Sequence, residues 1–539
     1  MGSICTGAGV DLSHHINRKS KARHPSPLKD IIKFMGQDGM ISLAGGLPHP
    51  SIFPLHTGRF DCLPPSSSMP DPDKGEAPDD LVSITLGRGS GTGDLDLTQF
   101  LQYGSGTGNK HLISLCKEIT NKVHSPPYEY ECLLHPGNTN AWAKVVGMLC
   151  EDDDYILVEE YTYPSAQALW IPLGVRAAPV SADAQGISAI VLRDVLANWD
   201  EKSRGARRPT VLYLVAVGSN PTGLSISAER RKEIYDVCVE FGMPYIPNKR
   251  PSNKTPAPDI IIVEDDPYYF LQYPPYSPSA NLSATEFRPL DTPSFLKSLT
   301  PSFLSLDTQS RVIRLESFSK TVFPGLRLGY FVANPLFTER LLRATEVETQ
   351  DPAGLSQAFI LALLKKWGVD GYLQWLQRLQ RQYRVRRDWI VGAFHKHFTV
   401  LPAADSPLPK ADGYVACLAD RTGQLQPVFS FIDPGAGMFV WSKWYFSGVK
   451  RFAELSASDK VDPEQAFATE LWNAWASELV LLTPGSYYHP WQGEDKVTTR
   501  ERGVGEGTAH FRFSFATPTE EQINAGVERV KRVVDRYWN

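Results

Sequence analysis

The sequence predicts an α/β protein, with a large domain built on a mostly parallel sheet covered by helices on both faces and a smaller α+β domain at the carboxyl end. Three observations carry this. Strand-type and helix-type patterns alternate from about 93 to 350, as they do when a chain crosses over between parallel strands. Three of the strand-type segments, 155–158, 211–215 and 260–263, are short continuous apolar runs, which suits strands buried on both faces. The stretch 357–398 then places apolar residues at three- and four-residue spacing around Trp375 and Leu379, and reads as long helices leading into a second domain. On this reading residues 1–92 form an amino-terminal arm and small-domain segment, 93–365 the large domain and 366–539 the small domain.

From the amino end, residues 1 to about 40 read as a mobile arm. It opens on Met1-Gly2-Ser3-Ile4-Cys5-Thr6, a short N-myristoylation pattern, followed by a basic stretch at 18–23. No apolar signal segment follows the first charges. The Gly45-Gly46-Leu47-Pro48 turn comes next, then a Pro, Ser and Asp rich loop at 62–80. The glycine-rich stretch 87–108 contains no GxGxxG and follows no apolar strand, so a dinucleotide site is rejected. Pro136-Gly137-Asn138-Thr139-Asn140 opens a helical pattern at 141–150, whose first N–H groups can hold an anion. Three further segments, 247–258, 274–308 and 402–431, read as surface loops.

With 539 residues the chain exceeds a single ordinary domain. Its charges nearly cancel, at a net of −5 with 21% charged residues, so no global field favours nucleic acid or a membrane surface. No apolar stretch approaches the length of a bilayer span. The seven cysteines are odd in number and lack CxxC spacing, so they read as free thiols of a reducing compartment rather than a disulfide or metal framework.

Chemistry concentrates where the apolar runs end. Ser317-Phe318-Ser319-Lys320 places one lysine among small hydroxyl residues, just before the turn Pro324-Gly325 and with Arg327 seven positions on. A hydrated surface lysine, with a pKa near ~10.4, is protonated and cannot act as a nucleophile; one held in a crevice beside another cation can. That lysine can hold an aldehyde cofactor as a Schiff base while the arginine binds its phosphate. The run 211–215 ends in Asn220-Pro221-Thr222-Gly223, the run 260–263 in Glu264-Asp265-Asp266-Pro267-Tyr268-Tyr269, and the run 155–158 in Glu159-Glu160-Tyr161-Thr162-Tyr163-Pro164. Polar groups at the carboxyl ends of such strands converge on one crevice.

These ordered motifs, together with Ile41 to Pro48 and Phe511-Arg512-Phe513-Ser514-Phe515, resemble the class I, fold-type I pyridoxal 5'-phosphate-dependent aminotransferases over nearly the whole chain. The fungal aromatic amino acid aminotransferases and the kynurenine and 2-aminoadipate aminotransferases are the most similar branches. The resemblance implies an aspartate-aminotransferase-like fold. It implies Lys320 as the Schiff-base lysine and Asp266 on the pyridine nitrogen, chosen over Asp265 by the Asp-x-x-Tyr spacing to Tyr269. Tyr269 and Asn220 would donate to the ring's phenolate oxygen, and Tyr163 would lie on the ring face. Asn138, Thr139, Ser317, Ser319 and Arg327 would hold the phosphate. Arg512 would take the substrate's α-carboxylate, with Asn220 and Gly46 beside the substrate. Tyr103 would reach into a neighbouring subunit's site, which implies a homodimer. The expected reaction moves an amino group from an aromatic L-amino acid to 2-oxoglutarate in the cytoplasm, without nucleic acid, membrane or metal. Rival readings are a 2-aminoadipate, kynurenine or pathway-specific aminotransferase, a lyase or decarboxylase on the same cofactor, and a non-catalytic aminotransferase-like regulator. The last would need about 70 residues of DNA-binding domain before the Gly-Gly-Leu-Pro turn, where only about 40 are present.

Overall fold

The computed structural model describes residues 10–25, 34, 37–41, 43, 44, 46–67, 80–89, 91, 93–241, 260–278, 287–419, 422–458, 462–490 and 497–538. The myristoylation pattern and the segment 247–258 lie outside the described residues, as does Gly45. The first strands, β1 (Thr57–Cys62), β2 (Val82–Gly87) and β3 (Leu95–Asp96), make a small sheet whose Ile84 and Leu86 are buried against the large-domain core.

The central sheet uses β4 (Glu131–His135), β5 (Tyr155–Glu159) and β6 (Arg176–Val180), then, after the short hairpin β7 (Ala182–Asp183) and β8 (Gly186–Ile187), β9 (Val211–Leu214), β10 (Ile261–Asp265), β11 (Val312–Ser317) and β12 (Gly329–Ala333). Its order is β4-β12-β11-β10-β9-β5-β6. Pairs among β11, β10, β9, β5 and β6 are parallel, whereas β12 pairs antiparallel with both β11 and β4. The exception has a local cause. Only residues 318–328 separate β11 from β12, too few for a helical crossover, so the chain reverses directly. That reversal carries Lys320 and Arg327.

Both faces of this sheet are buried, and alternate residues of each strand go to opposite cores. Val211, Tyr213, Ile261, Val263, Ile313 and Leu315 face the core around the helix Asn138–Leu149. Leu212, Leu214, Ile260, Ile262 and Val312 face the other.

The small domain holds an antiparallel sheet of order β13-β14-β15-β16-β18-β17, from β13 (Thr399–Pro402), β14 (Tyr414–Ala419), β15 (Leu425–Phe431), β16 (Phe439–Tyr445), β17 (Thr483–Pro484) and β18 (Thr508–Ser514). The helical stretch Gly354–His397 links the two domains and is broken at Gly368, whose φ of 68° and ψ of 167° no helix accommodates. Val369 to Leu376 still pack in the large-domain core, past the expected boundary at 365, and the small-domain cluster begins at Ile390.

Three expectations about loops are corrected. Residues 10–25 are docked, not mobile: Leu12 and Ile16 are buried against the core of the helix Asn138–Leu149, and the Asn17 side chain donates to the carbonyls of Gly147 and Cys150 at that helix's end. Within 274–308, the helices Thr292–Ser298 and Phe303–Leu306 bury Phe295, Phe303 and Leu304. The segment 402–431 contains β14 and β15, paired along their length.

Candidate active site

A cavity of about 270 Å³ opens at the carboxyl ends of β9, β10 and β11. It lies on the face toward the helix Asn138–Leu149, so the residues that alternate onto that face form its walls: Tyr213 and Val215 from β9 and just beyond it, Asp265 from β10 and Ser317 from β11. The structure brings together eight of the residues named from the sequence, with Lys320 joined by Asn138, Thr139, Tyr163, Asn220, Ser317, Ser319 and Arg327.

At one end is an anion cradle. The helix Asn138–Leu149 starts there without a side-chain cap, leaving its first N–H groups open to a ligand. Arg327 donates from Nη1 to the Ser319 hydroxyl at 3.2 Å and packs its guanidinium against Gly137, where a Cβ would collide with it. Gly137 also has a φ of 99°, and its N–H donates to His135 Nδ1 at 3.1 Å, which requires that imidazole nitrogen to be unprotonated. Burial holds His135 neutral by pushing its pKa down to about 3. Lys320 is half-buried beside this cradle. Its burial, and then the charge of Arg327, lower its pKa from the usual lysine value, the shift an amine needs to act as nucleophile or base.

The expectation for Asp266 is corrected by the sheet's alternation. Asp265, not Asp266, lines the cavity. Its Oδ1 accepts from Asn138 Nδ2 at 2.7 Å and its Oδ2 from the Tyr213 hydroxyl at 2.7 Å, leaving a fixed, buried carboxyl group facing the pocket. Asp266 turns to the opposite face, into a buried charge cluster. There Arg314 lies 3.4 Å from Asp266, 2.9 Å from Glu264 and 2.6 Å from Glu316, while His124 bonds Glu316 at 3.2 Å. Tyr269 goes with Asp266: its ring sits 4.7 Å from the Arg314 guanidinium carbon and its hydroxyl donates to the Thr300 carbonyl. Tyr268 takes the place expected of Tyr269 in the cavity wall. The Asp-x-x-Tyr spacing fits Asp265 with Tyr268 as well as Asp266 with Tyr269, so spacing alone could not choose. Alternation with Ile261 and Val263 was the available signal.

Arg512, on β18, does not line the cavity itself but reaches two of its wall residues, Asn220 and Phe439, from the small domain. Its Nη1 donates to Asn220 Oδ1 at 2.6 Å and its Nη2 to the Thr483 hydroxyl at 3.3 Å, and the guanidinium lies over the ring of Phe439, a cavity-wall residue, at 4.2 Å. Among the described residues no carboxylate pairs with it, and its Nε is buried without a hydrogen-bond partner. Burial lowers its pKa. A largely buried guanidinium with neutral partners only is short of one anion. Two named residues stand apart. Tyr103 is 67% exposed and lines a separate open cavity, and Gly46 is exposed, with open space where a side chain would begin.

No family model matches the chain. It is 38% identical over 529 residues to an aromatic amino acid aminotransferase of Schizosaccharomyces pombe, covering 97% of this chain and 98% of the relative. An L-tyrosine:2-oxoglutarate aminotransferase of Serpula lacrymans is 32% identical, with 99% and 97% covered. The crystal structure of aminotransferase Aro8 from Candida albicans superimposes with a TM-score of 0.81 at 32% identity, covering 98% of this chain and 99% of that one. The chain belongs to the aromatic amino acid aminotransferases. In this aminotransferase the sequence reading had not identified Trp142, Tyr213, Phe439 or Thr483 as part of the site. Trp142 and Phe439 are core-type aromatics whose placement depends on how the helix and the second domain pack, which no local pattern reports.

Proposed function

We propose that this aminotransferase moves the amino group of an aromatic L-amino acid to 2-oxoglutarate, using pyridoxal 5'-phosphate held on Lys320. The observation that carries the reading is the convergence on one cavity of a depressed lysine, a buried carboxyl group and an uncapped helix end with an arginine. The groups fit that cofactor: the helix N-terminus, Ser317, Ser319 and Arg327 suit a phosphate, Asp265 a pyridinium N–H, Tyr268 and Asn220 a phenolate oxygen, and Tyr163 a ring face. Pyridoxal 5'-phosphate supplies an aldehyde and an electron-withdrawing ring that acidifies the substrate's α-carbon. With the cofactor bound, Asp265 would hold a proton on the ring nitrogen, and Lys320 Nζ would take the proton from the α-carbon and deliver it to the cofactor's former aldehyde carbon. Arg512 binds the α-carboxylate through its planar fork, in the amino acid and in the oxo acid alike. Tyr103, exposed here, reaches the site of a second copy in a homodimer of the cytoplasm. Among the described residues no helix is long and apolar enough to cross a membrane.

A matrix of amino donors against oxo-acid acceptors tests this. Phenylalanine, tyrosine and tryptophan with 2-oxoglutarate are expected to give the highest kcat/KM. A preference for 2-aminoadipate or kynurenine would replace the substrate assignment, and product formation without any oxo acid would overturn transamination.

A further inference from the structure

Glu159 is a buried carboxyl group that the chemistry above does not use. It ends β5 and is 3% exposed, and among the described residues it has no cation within ion-pair distance. By alternation with Leu157 it faces away from the cavity side of the sheet, which Ile156 and Val158 share. Its Oε2 accepts the hydroxyl of Ser219 at 2.9 Å, and Ser219 is 1% exposed. Ser219 is the residue before Asn220. Its carbonyl accepts from the Gly223 N–H at 2.6 Å and its own N–H donates to the Leu224 carbonyl at 2.8 Å, so the Ser219 side chain anchors a turn already closed on itself. The opposite side of that turn meets the small domain. Side chains at Gly218 and Gly223 would collide with the backbone of Gly437 and Phe439, and Asn220 holds Arg512 at 2.6 Å. Burying a carboxyl group with no cation costs several kcal/mol unless hydrogen bonds offset it. Burial pushes Glu159 up to about 7, against the Ser219 hydroxyl and the Val215 N–H, which lower it. A hydrophobic residue would fill the same space more stably, which points to a use for the hydrogen bond.

We propose that Glu159 is a positioning residue for the substrate carboxylate: through the Ser219 hydroxyl it sets the turn that carries Asn220, and Asn220 sets the Arg512 guanidinium. This rests on Arg512 gripping the α-carboxylate, as argued above. The chain of contacts runs from the large-domain core to a small-domain strand without touching Lys320 or Asp265. Its loss therefore weakens carboxylate binding for donor and acceptor together, and it reaches the cofactor only through the Asn220 contact to the phenolate oxygen, leaving the phosphate cradle and the Lys320 linkage in place.

The test uses the cofactor-loaded full-length enzyme and the non-reacting carboxylate 3-phenylpropionate, whose Kd is read from the quenching of protein fluorescence. Ser219→Ala is expected to raise that Kd and the KM values of phenylalanine and 2-oxoglutarate by about tenfold each, with kcat changed by less than about threefold. Glu159→Gln keeps an oxygen that can accept the hydroxyl and is expected to raise the same constants by only about twofold to threefold, whereas Glu159→Ala removes the acceptor, is expected to match Ser219→Ala, and stands in if that variant fails to fold. In an Asn220→Ala background, Ser219→Ala should add nothing. A lower melting temperature with wild-type Kd and KM values would make the Glu159–Ser219 pair structural only and overturn the proposal, as would additive effects of Ser219→Ala and Asn220→Ala. Arg512→Lys separates the two levels. If it leaves the 3-phenylpropionate Kd unchanged, the Arg512 assignment itself fails; if it raises that Kd while Ser219→Ala does not, only the positioning role fails.

Discussion

Asp265 and Asp266 are joined by one peptide bond, and an extended chain sends their carboxyl groups to opposite sides of the sheet. Asp265 is oriented by Asn138 and Tyr213 toward the cavity, while Asp266 balances Arg314 behind it. Asp265→Asn is expected to lower kcat by about 10²-fold or more, because the group that keeps the ring nitrogen protonated is lost, a cost of ~3 kcal/mol in the transition state. Burial pushes Asp266 up to about 7, against Arg314, which lowers it, so neutralising it as Asp266→Asn is expected to shift stability by no more than ~1 kcal/mol and to leave kcat near the wild type. Steady-state kinetics and thermal melts of both variants check this, and equal catalytic losses would mean that both carboxyl groups serve the cavity. The lysine, the arginines and the Asn-Pro turn were legible in the sequence because each stands alone of its type in a short motif. The Asp and Tyr pairs were not, because each motif position had an identical neighbour. Only the alternation of Ile261, Val263 and Asp265, a property of the strand, separates them.

At the scale of elements, the helix Asn138–Leu149 connects the amino-terminal segment to the cofactor cradle. Its amino end faces the cavity and its carboxyl end is closed by Asn17, whose amide donates to Cys150 O at 2.6 Å and Gly147 O at 3.1 Å. Asn17→Ala leaves those carbonyls short of a donor and is expected to cost about 2 kcal/mol, read as a lower melting temperature. Dilution of the loaded variant should also release the cofactor faster than dilution of the wild type; an unchanged melting temperature would show that water replaces the amide at no cost. The alternating central strands were readable because their apolar runs are continuous. The segment 274–308 hides apolar residues such as Phe303 among Pro and Ser, and 402–431 breaks up its apolar residues, such as Val415, with Gly, Pro and charged positions, so that tertiary packing rather than local pattern buries them. The amino-terminal segment was misread for a similar reason. Two apolar residues, Leu12 and Ile16, carry its docking, too few to form a pattern.

At the scale of the whole molecule, the two domains meet through aromatic rings as well as through Arg512. Tyr161 of the large domain packs within 5.0 Å of Trp441, His489 and His510 of the small domain, ring centroid to ring centroid. Burial pushes both histidines down to about 3, helped by nearby Arg502 and Lys443. A histidine kept neutral in the fold binds fewer protons than its unfolded counterpart below ~6.5, so its penalty grows as the pH falls from there toward the folded value. The double variant His489→Gln/His510→Gln is therefore expected to gain melting temperature relative to the wild type as the pH drops from about 7 to about 5. A difference independent of pH would mean that these rings protonate within the fold. The central claim joins all three scales at Lys320, placed by the short reversal between β11 and β12, cradled by a helix end and facing a carboxyl group from the next strand. It is tested most directly by loading the purified protein with pyridoxal 5'-phosphate, reducing it with borohydride and mapping the modified peptide by mass spectrometry. The phosphopyridoxyl group is expected on Lys320 alone, and its appearance on another lysine, or an unmodified Lys320, would contradict the account.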